Sequence, residues 1–375
     1  MTISFPKSID IFCTVIDNFG DIGVCWRLAK QCHHEYGLQV RLWVDDLASF
    51  AKLESTIEVN QDQQHYLGIE LRHWTAAAFI NSPTPHEMVI EGFGCRLPDS
   101  FLQAMAQQSP PPKWLNLEYL SAEAWTLDCH GLNSIHPTLA LKQQFFFPSF
   151  EVRGGGLLRE RDLIQQRDAF NADLQKQFWQ QLGYGQATDA DYRLSLFAYE
   201  NLAAPALLQT LSQQSALGFI AIPQGRVVNS LETWLNKPLK VGDCVQVGSI
   251  TLAILPFLSS SDYDHLLWAC DINCVRGEDS FIRAHWAAKP LLWHIYPQDE
   301  DAHLDKLTAW QQLSQVFISN EWQQLQQSWV KQDTNPEIWQ TLLSTAQANK
   351  KGHQQFCDYL TKQDDLCQRL LSFYL

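Results

Sequence analysis

Two aspartates four residues apart, Asp17 and Asp21, lie in the stretch "CTVIDNFGDIGVCWRLAKQ" at 13–31. The stretch reads as a strand, a short turn and a helix, the arrangement that nucleotide-binding folds use to bring backbone N–H groups up to phosphates. Two carboxylates repel a phosphate, so the turn carries the wrong charge for that task. A purely structural reading makes Asp21 the N-cap of the helix and Asp17 an Asx-turn. Turn preferences alone do not say why one turn carries both acids.

A second block, "ACDINCVRGEDSFIRAHWAAKPLLWHIYPQDEDAH" at 269–303, carries complementary chemistry. A strand ends at Arg276, and residues 277–280 turn into a helix that Asp279 or Ser280 can cap. The N–H groups of about 278–281, with the positive end of the helix dipole behind them, form an anion site. Arg276 adds a full positive charge suited to a leaving diphosphate, and Ser280 adds a hydroxyl. His294, Tyr296, Gln298, Asp299 and Glu300 follow the C-terminal end of the next strand, where open α/β sheets bind ligands. In "SLFAYEN" (195–201), Phe197 and Tyr199 alternate by two and share a sheet face. That pattern fits core packing, or a platform for a planar base. Tyr263, in "SSSDYDHLLW", is a third aromatic at a helix start.

These residues need a scaffold, and the pattern predicts one. Apolar runs at 9–16, 38–44, 88–94 and 114–120 read as strands separated by helices, the first helix stopping at Gly37. The texture changes over 151–190, with "EVRGGG" as a hinge ahead of Gln- and Arg-rich helix. A second alternating set follows at 192–199, 218–223, 250–257, 271–276 and 290–297, and the chain after 298 reads as helical. The expected architecture is α/β, with two Rossmann-like domains facing each other across a cleft and a helical tail. Its boundaries are 1–155, a connector at 156–185, a second domain at 186–352, and a terminal helix at 353–375 that returns to the first domain.

Bulk properties narrow the function. A chain of 375 residues exceeds what one hydrophobic core usually supports. A net charge of −14 argues against nucleic acid as the main ligand, since phosphate-backbone binding needs a basic face. No apolar run is long enough to span a bilayer, and the start lacks the pattern of a signal peptide, so a cytoplasmic protein is expected. The ten cysteines include no C-x-x-C pair; Cys13, Cys25, Cys244 and Cys274 fall in apolar segments and are expected to pack as reduced thiols. His33 and His34 are adjacent and point to different sides of a helix, which disfavours a shared metal.

Taken together, "DNFGDIGVCWRLA" and "VRGEDSF…RAHWAAKPLLWHIYPQDEDAH" resemble the EarP family of bacterial protein-arginine rhamnosyltransferases, and the likeness spans both halves of the chain. The resemblance implies a GT-B fold and the inverting transfer of L-rhamnose from TDP-β-L-rhamnose to one arginine of translation elongation factor P. The modified factor then relieves ribosomes stalled at consecutive prolines. It implies no cofactor, no metal, no nucleic-acid partner and no membrane. On the acceptor side it assigns Asp21 as general base and Asp17 as a second acid, with Asn18, Phe19 and Gly20 beside them. On the donor side it assigns Phe197, Tyr199, Tyr263, Arg276, Glu278, Asp279, Ser280 and Tyr296. Rival readings are a GT-B transferase with a small-molecule acceptor and a non-catalytic module that binds the translation machinery. A nicotinamide dehydrogenase fits less well, because "DNFGDIG" lacks the G-x-G-x-x-G spacing.

Overall fold

The computed structural model describes residues 5–16, 19–80 and 83–374, except for the side chain of Asp299. The chain divides into two compact units, Met1–Arg161 with Lys362–Leu375 and Asp162–Thr361.

The first unit holds β1 (Ser8–Cys13), β2 (Gln39–Val44), β3 (Gln63–Tyr66), β4 (Ile69–His73), β5 (Met88–Gly92), β6 (Lys113–Leu117), β7 (Asn133–Ile135) and β8 (Lys142–Phe146). They form one sheet in the order β3-β4-β2-β1-β5-β6-β8-β7, parallel except for the two edge strands β3 and β7. The central strands β1, β2, β5 and β6 are buried on both faces, where helices cover them, and the charged pair Asp10 and Arg41 within them is matched at 2.6 Å. Ile9, Ile11 and Cys13 enter one core with the helix Gly20–Tyr36, while Phe12 enters the other with Trp43, Val89 and Phe101. That alternation is the strand period of two. The first helix stops at Gly37, as the sequence predicts: its left-handed φ of 68° lets its N–H reach the carbonyls of Cys32 and His33.

The last segment of the chain completes this unit. Leu366, Cys367, Leu370 and Leu371 of the helix Leu366–Ser372 join the core beside Cys32. Gly154, Gly155 and Gly156 are close-packing positions in the structure, where the sequence reading expected a hinge. A Cβ on Gly155 would come within 2.5 Å of the Phe146 ring and one on Gly156 within 2.8 Å of the Asp364 carbonyl. Arg369 donates to the carbonyls of Glu151, Val152 and Gly154, which fixes the same loop.

The second unit holds β9 (Tyr192–Leu196), β10 (Gly218–Pro223), β11 (Cys244–Val247), β12 (Ile250–Leu255), β13 (Ile272–Arg276) and β14 (Leu291–His294), in the order β11-β12-β10-β9-β13-β14. Only β11 runs antiparallel. This repeats β3-β4-β2-β1-β5-β6 strand for strand, down to the antiparallel edge hairpin, although the sequence shows no internal repeat. The expected connector contributes Phe178 and Trp179 to the core around Phe219 and Leu266. The expected boundary at 352/353 falls inside the helix Leu342–Thr361. Cys244 is exposed on the edge strand β11, which corrects its expected packing. All ten cysteines are free thiols. Among the described residues no helix is long and apolar enough to cross a membrane.

Candidate active site

In each sheet the chain runs outward from a first strand on one side and then crosses to its other side. The order reverses between β1 and β5 in the first unit and between β9 and β13 in the second. Ligands of open α/β sheets bind at the C-terminal ends of strands flanking such a reversal.

At the first reversal stands Asp21. Asp17 and Asn18 lie outside the described residues. The N-cap position is Phe19 and makes no side-chain cap, and Gly20 opens the helix, so Asp21 lies inside the first turn where a cap was expected. Its negative charge suits the positive end of the helix dipole there. One carboxylate oxygen accepts the Ile16 N–H at 2.8 Å and the other accepts the Tyr119 hydroxyl at 3.2 Å. The residue is only 2% exposed. The preceding loop is fixed from the other side by Asp45, which accepts the Val15 N–H at 2.9 Å. Phe19 lies under the ammonium of Lys52, 5.7 Å from the ring centroid. Beneath the turn, a hydrogen bond with Cys25 and burial raise the pKa of the Cys13 thiol well above its ordinary value, so it stays protonated beside the acid.

Next to Asp21, the loop after β5 is bent into the left-handed region at Phe93 (φ 56°), Gly94 (φ 66°) and Arg96 (φ 57°). For the two residues other than glycine this costs about 1–3 kcal/mol each, so the surroundings must impose it. Phe93 donates its N–H to Leu117, Gly94 to the Asn116 side chain, and Arg96 to the buried carboxylate of Glu91. Burial raises the pKa of Glu91 above the ordinary carboxylate value.

At the second reversal stands Arg276. Its guanidinium carbon is 4.7 Å from the ring centroid of Phe197 and 4.7 Å from that of Tyr199. Both rings therefore address one cation from the end of β9, on the shared side that their spacing predicts. Arg276 is 6% exposed, and its Nη1 has no hydrogen-bond partner among the described residues. A buried cationic donor left in that state is costly unless an anion completes it. Tyr263 meets the Phe197 ring edge-on at 5.6 Å, and Tyr199 meets Tyr296 at 5.5 Å. Tyr296 is 46% exposed whereas Tyr199 is buried. His294, against Tyr199 at 5.2 Å, has its pKa lowered to about 4 by burial and by the Arg276 charge.

The turn after β13 is built for close approach. Gly277 takes a φ of 59°, and its carbonyl accepts Trp293 Nε1–H at 2.7 Å. The helix Asp279–Ala287 has Glu278 at its N-cap with no side-chain cap. Ser280 turns its hydroxyl back instead, accepting the Arg276 N–H at 3.0 Å and donating to the Arg276 carbonyl. The expected cap is therefore absent, and the hydroxyl braces the turn. Tyr263 is held near by a buried ion pair between its own helix, Ser260–Ala269, and the helix Asp279–Ala287: Arg283 Nε and Nη2 donate to Asp264 at 2.8 and 2.7 Å. Among the described residues no group of three or more His, Cys, Asp or Glu is placed to hold a metal ion.

A family model described as Elongation-Factor P (EF-P) rhamnosyltransferase EarP matches residues 9–375. The chain belongs to the EarP family. A protein-arginine rhamnosyltransferase of Pseudomonas putida is 49% identical over 303 residues, covering 80% of this chain and 79% of the relative. A Pseudomonas aeruginosa protein of the same name is 40% identical over 380 residues, covering 98% of each. A solved structure from work on EarP-mediated arginine glycosylation of translation elongation factor EF-P is 33% identical, with a TM-score of 0.69 and coverage of 98% of both chains. The two mixed parallel-sheet units and the closing helices of this EarP-family chain are the GT-B fold expected from its sequence.

The fold thus gathers Phe197, Tyr199, Tyr263, Arg276, Glu278, Asp279, Ser280 and Tyr296 within one unit, and it sets Asp21, Phe19 and Gly20 in the other. Sequence reasoning missed Tyr119 and Phe93. Phe93 had a signal, an aromatic flanked by glycines in "EGFGC"; Tyr119 had none, because its relation to Asp21 depends on which strands are neighbours.

Proposed function

We propose that this chain transfers L-rhamnose from TDP-β-L-rhamnose to an arginine side chain of translation elongation factor P, with inversion at the anomeric carbon. Membership of the EarP family supports the substrates. The observation that carries the chemistry is the buried Asp21 carboxylate, fixed by two donors at the end of β1.

A guanidinium has a pKa of about 12.5–13.8 and a delocalised lone pair, so it is a poor nucleophile. Full deprotonation by a carboxylate of pKa near 4 spans roughly 9 units, on the order of 12 kcal/mol. Asp21 therefore takes the proton late, as the nitrogen attacks and becomes more acidic. Before that it orients the cation by charge-assisted hydrogen bonds, with Asp17 as its second acid. In a single displacement the nitrogen–carbon bond forms as the bond from the anomeric carbon to TDP oxygen breaks. The departing diphosphate is met by Arg276 and the uncapped turn at 277–280, with Glu278 and Asp279 beside it, and Phe197, Tyr263 and Tyr296 shape the nucleotide side. Arg276 and the N–H groups of the turn supply the positive charge, so the proposed reaction needs no metal.

Incubation of the purified chain with TDP-rhamnose and elongation factor P, read by intact mass, is expected to add one deoxyhexose to the factor, also in EDTA. A factor of unchanged mass with TDP released would point to another acceptor. Binding without TDP release would point to a non-catalytic module. Asp21→Asn is expected to abolish transfer while TDP affinity stays near wild type; wild-type kcat in that variant would remove Asp21 from the base role.

A further inference from the structure

We infer that Tyr119 is a positioning residue for the Asp21 carboxylate, and that the ring of Phe93 fixes Tyr119 in turn. This rests on the reading of Asp21 as the base. β5 and β6 are parallel neighbours, with Gly92 opposite Leu117. Phe93, one residue beyond β5, and Tyr119, two beyond Leu117, therefore emerge side by side at the C-terminal edge. Their rings stack with centroids 4.4 Å apart and planes 17° from parallel. The Tyr119 hydroxyl then reaches Asp21 across 98 residues of sequence.

Two independent features show that this is a built arrangement. The first is the left-handed backbone at Phe93, imposed by Leu117, Asn116 and Glu91 through the hydrogen bonds described above. The second is the division of labour on the carboxylate: Ile16 N–H holds one oxygen and Tyr119 the other, which fixes the plane of the group. A carboxylate that must take a proton late in the attack gains from such fixing, because displacement by about 1 Å can cost a hundredfold in rate. The same hydroxyl stabilises the ionised acid and so tunes its basicity.

The test is Tyr119→Phe, which removes one oxygen from a residue 36% exposed and keeps the stack. Expected are a fall in kcat of about ten- to a hundredfold with the donor KM nearly unchanged. The acid limb of the kcat/KM profile should move up by about half to one pH unit. A variant with the wild-type limb and kcat would overturn the inference. Carbon-13 titration of the Asp21 carboxyl in wild type and Tyr119→Phe gives a reading free of turnover. An upward shift in the variant supports the contact and coincident midpoints refute it, even if the wild-type chain transferred no rhamnose and the proposed activity had to be abandoned. Phe93→Leu keeps the hydroxyl and loses the stack; it should lower kcat about three- to tenfold with the acid limb in place, and wild-type kcat would remove Phe93 from the scheme.

Discussion

Replacing Arg276 by methionine sets two consequences of its site against each other. In the free protein the guanidinium gains two cation–π contacts, at 4.7 Å from Phe197 and 4.7 Å from Tyr199. Each contributes about 0.5–2 kcal/mol. Against this stands the desolvation of Nη1, buried without a hydrogen-bond partner, at about 1–3 kcal/mol. These nearly cancel, and methionine fills similar volume between the rings, so Arg276→Met should shift the midpoint of thermal unfolding by only a few degrees in either direction. With TDP bound the balance changes, because a charge-assisted hydrogen bond from the guanidinium to the diphosphate contributes about 1.5–3 kcal/mol. Its loss weakens TDP binding by roughly 10- to 150-fold. Calorimetric titration with TDP, beside differential scanning of the free proteins, reads both quantities. An unchanged TDP affinity would refute the assignment of Arg276 to the leaving diphosphate. A collapse of thermal stability would instead make the cation a structural element and refute the cancellation.

Two further outcomes follow from the second unit. Arg283→Ala removes the hydrogen bonds at 2.8 and 2.7 Å to the Asp264 carboxylate from a partner that is 1% exposed, and should cost about 3–5 kcal/mol in urea unfolding; Arg283→Met combined with Asp264→Leu should recover most of it, and a single variant near wild type would contradict the buried pair. His285, His294 and His353 are held neutral by burial, with pKa values lowered to about 3, 4 and 4. Their unfolded values lie near 6.5, so the unfolded chain binds more protons below that pH, and stability present above pH 6.5 is lost as pH falls toward 4. For His353, whose Nδ1–H faces the Asn349 carbonyl, the loss between pH 7 and 5 is about 2 kcal/mol. The stability of wild type relative to His353→Gln should therefore decline by that amount over this range, and a pH-independent difference would show that the imidazole is not held neutral.

Legibility from sequence followed burial. β1, β2, β5, β10 and β12 are buried and mostly apolar, with single polar residues such as Asp10, Arg41 and Glu91 among them, and were readable as strands. β3 (QQHY), β8 (KQQFF) and β11 (CVQV) were not, because edge or part-covered strands mix polar and apolar residues and depend on a partner for their definition. Capping failed twice for a common reason. Asp21 and Ser280 are cap-type residues, yet each turns its side chain back to the chain before the helix, at Ile16 and at Arg276. Sequence spacing reports that such a residue is near a helix start, and only the loop's path decides which N–H it meets. The Arg276 cluster was legible in composition, but that a cation sits against both rings required the neighbouring positions of β9 and β13.

The first unit is interrupted in sequence by the second, and its core waits for Leu366, Leu370 and Leu371. Residues 162–361 form a contiguous block, whereas the half bearing Asp21 lacks one wall of its core until the helix Leu366–Ser372 docks. Completion of the acid-bearing half is thus tied to residues more than three hundred positions from Asp21, and a chain truncated after residue 361 should expose the apolar flank of the Gly20–Tyr36 helix.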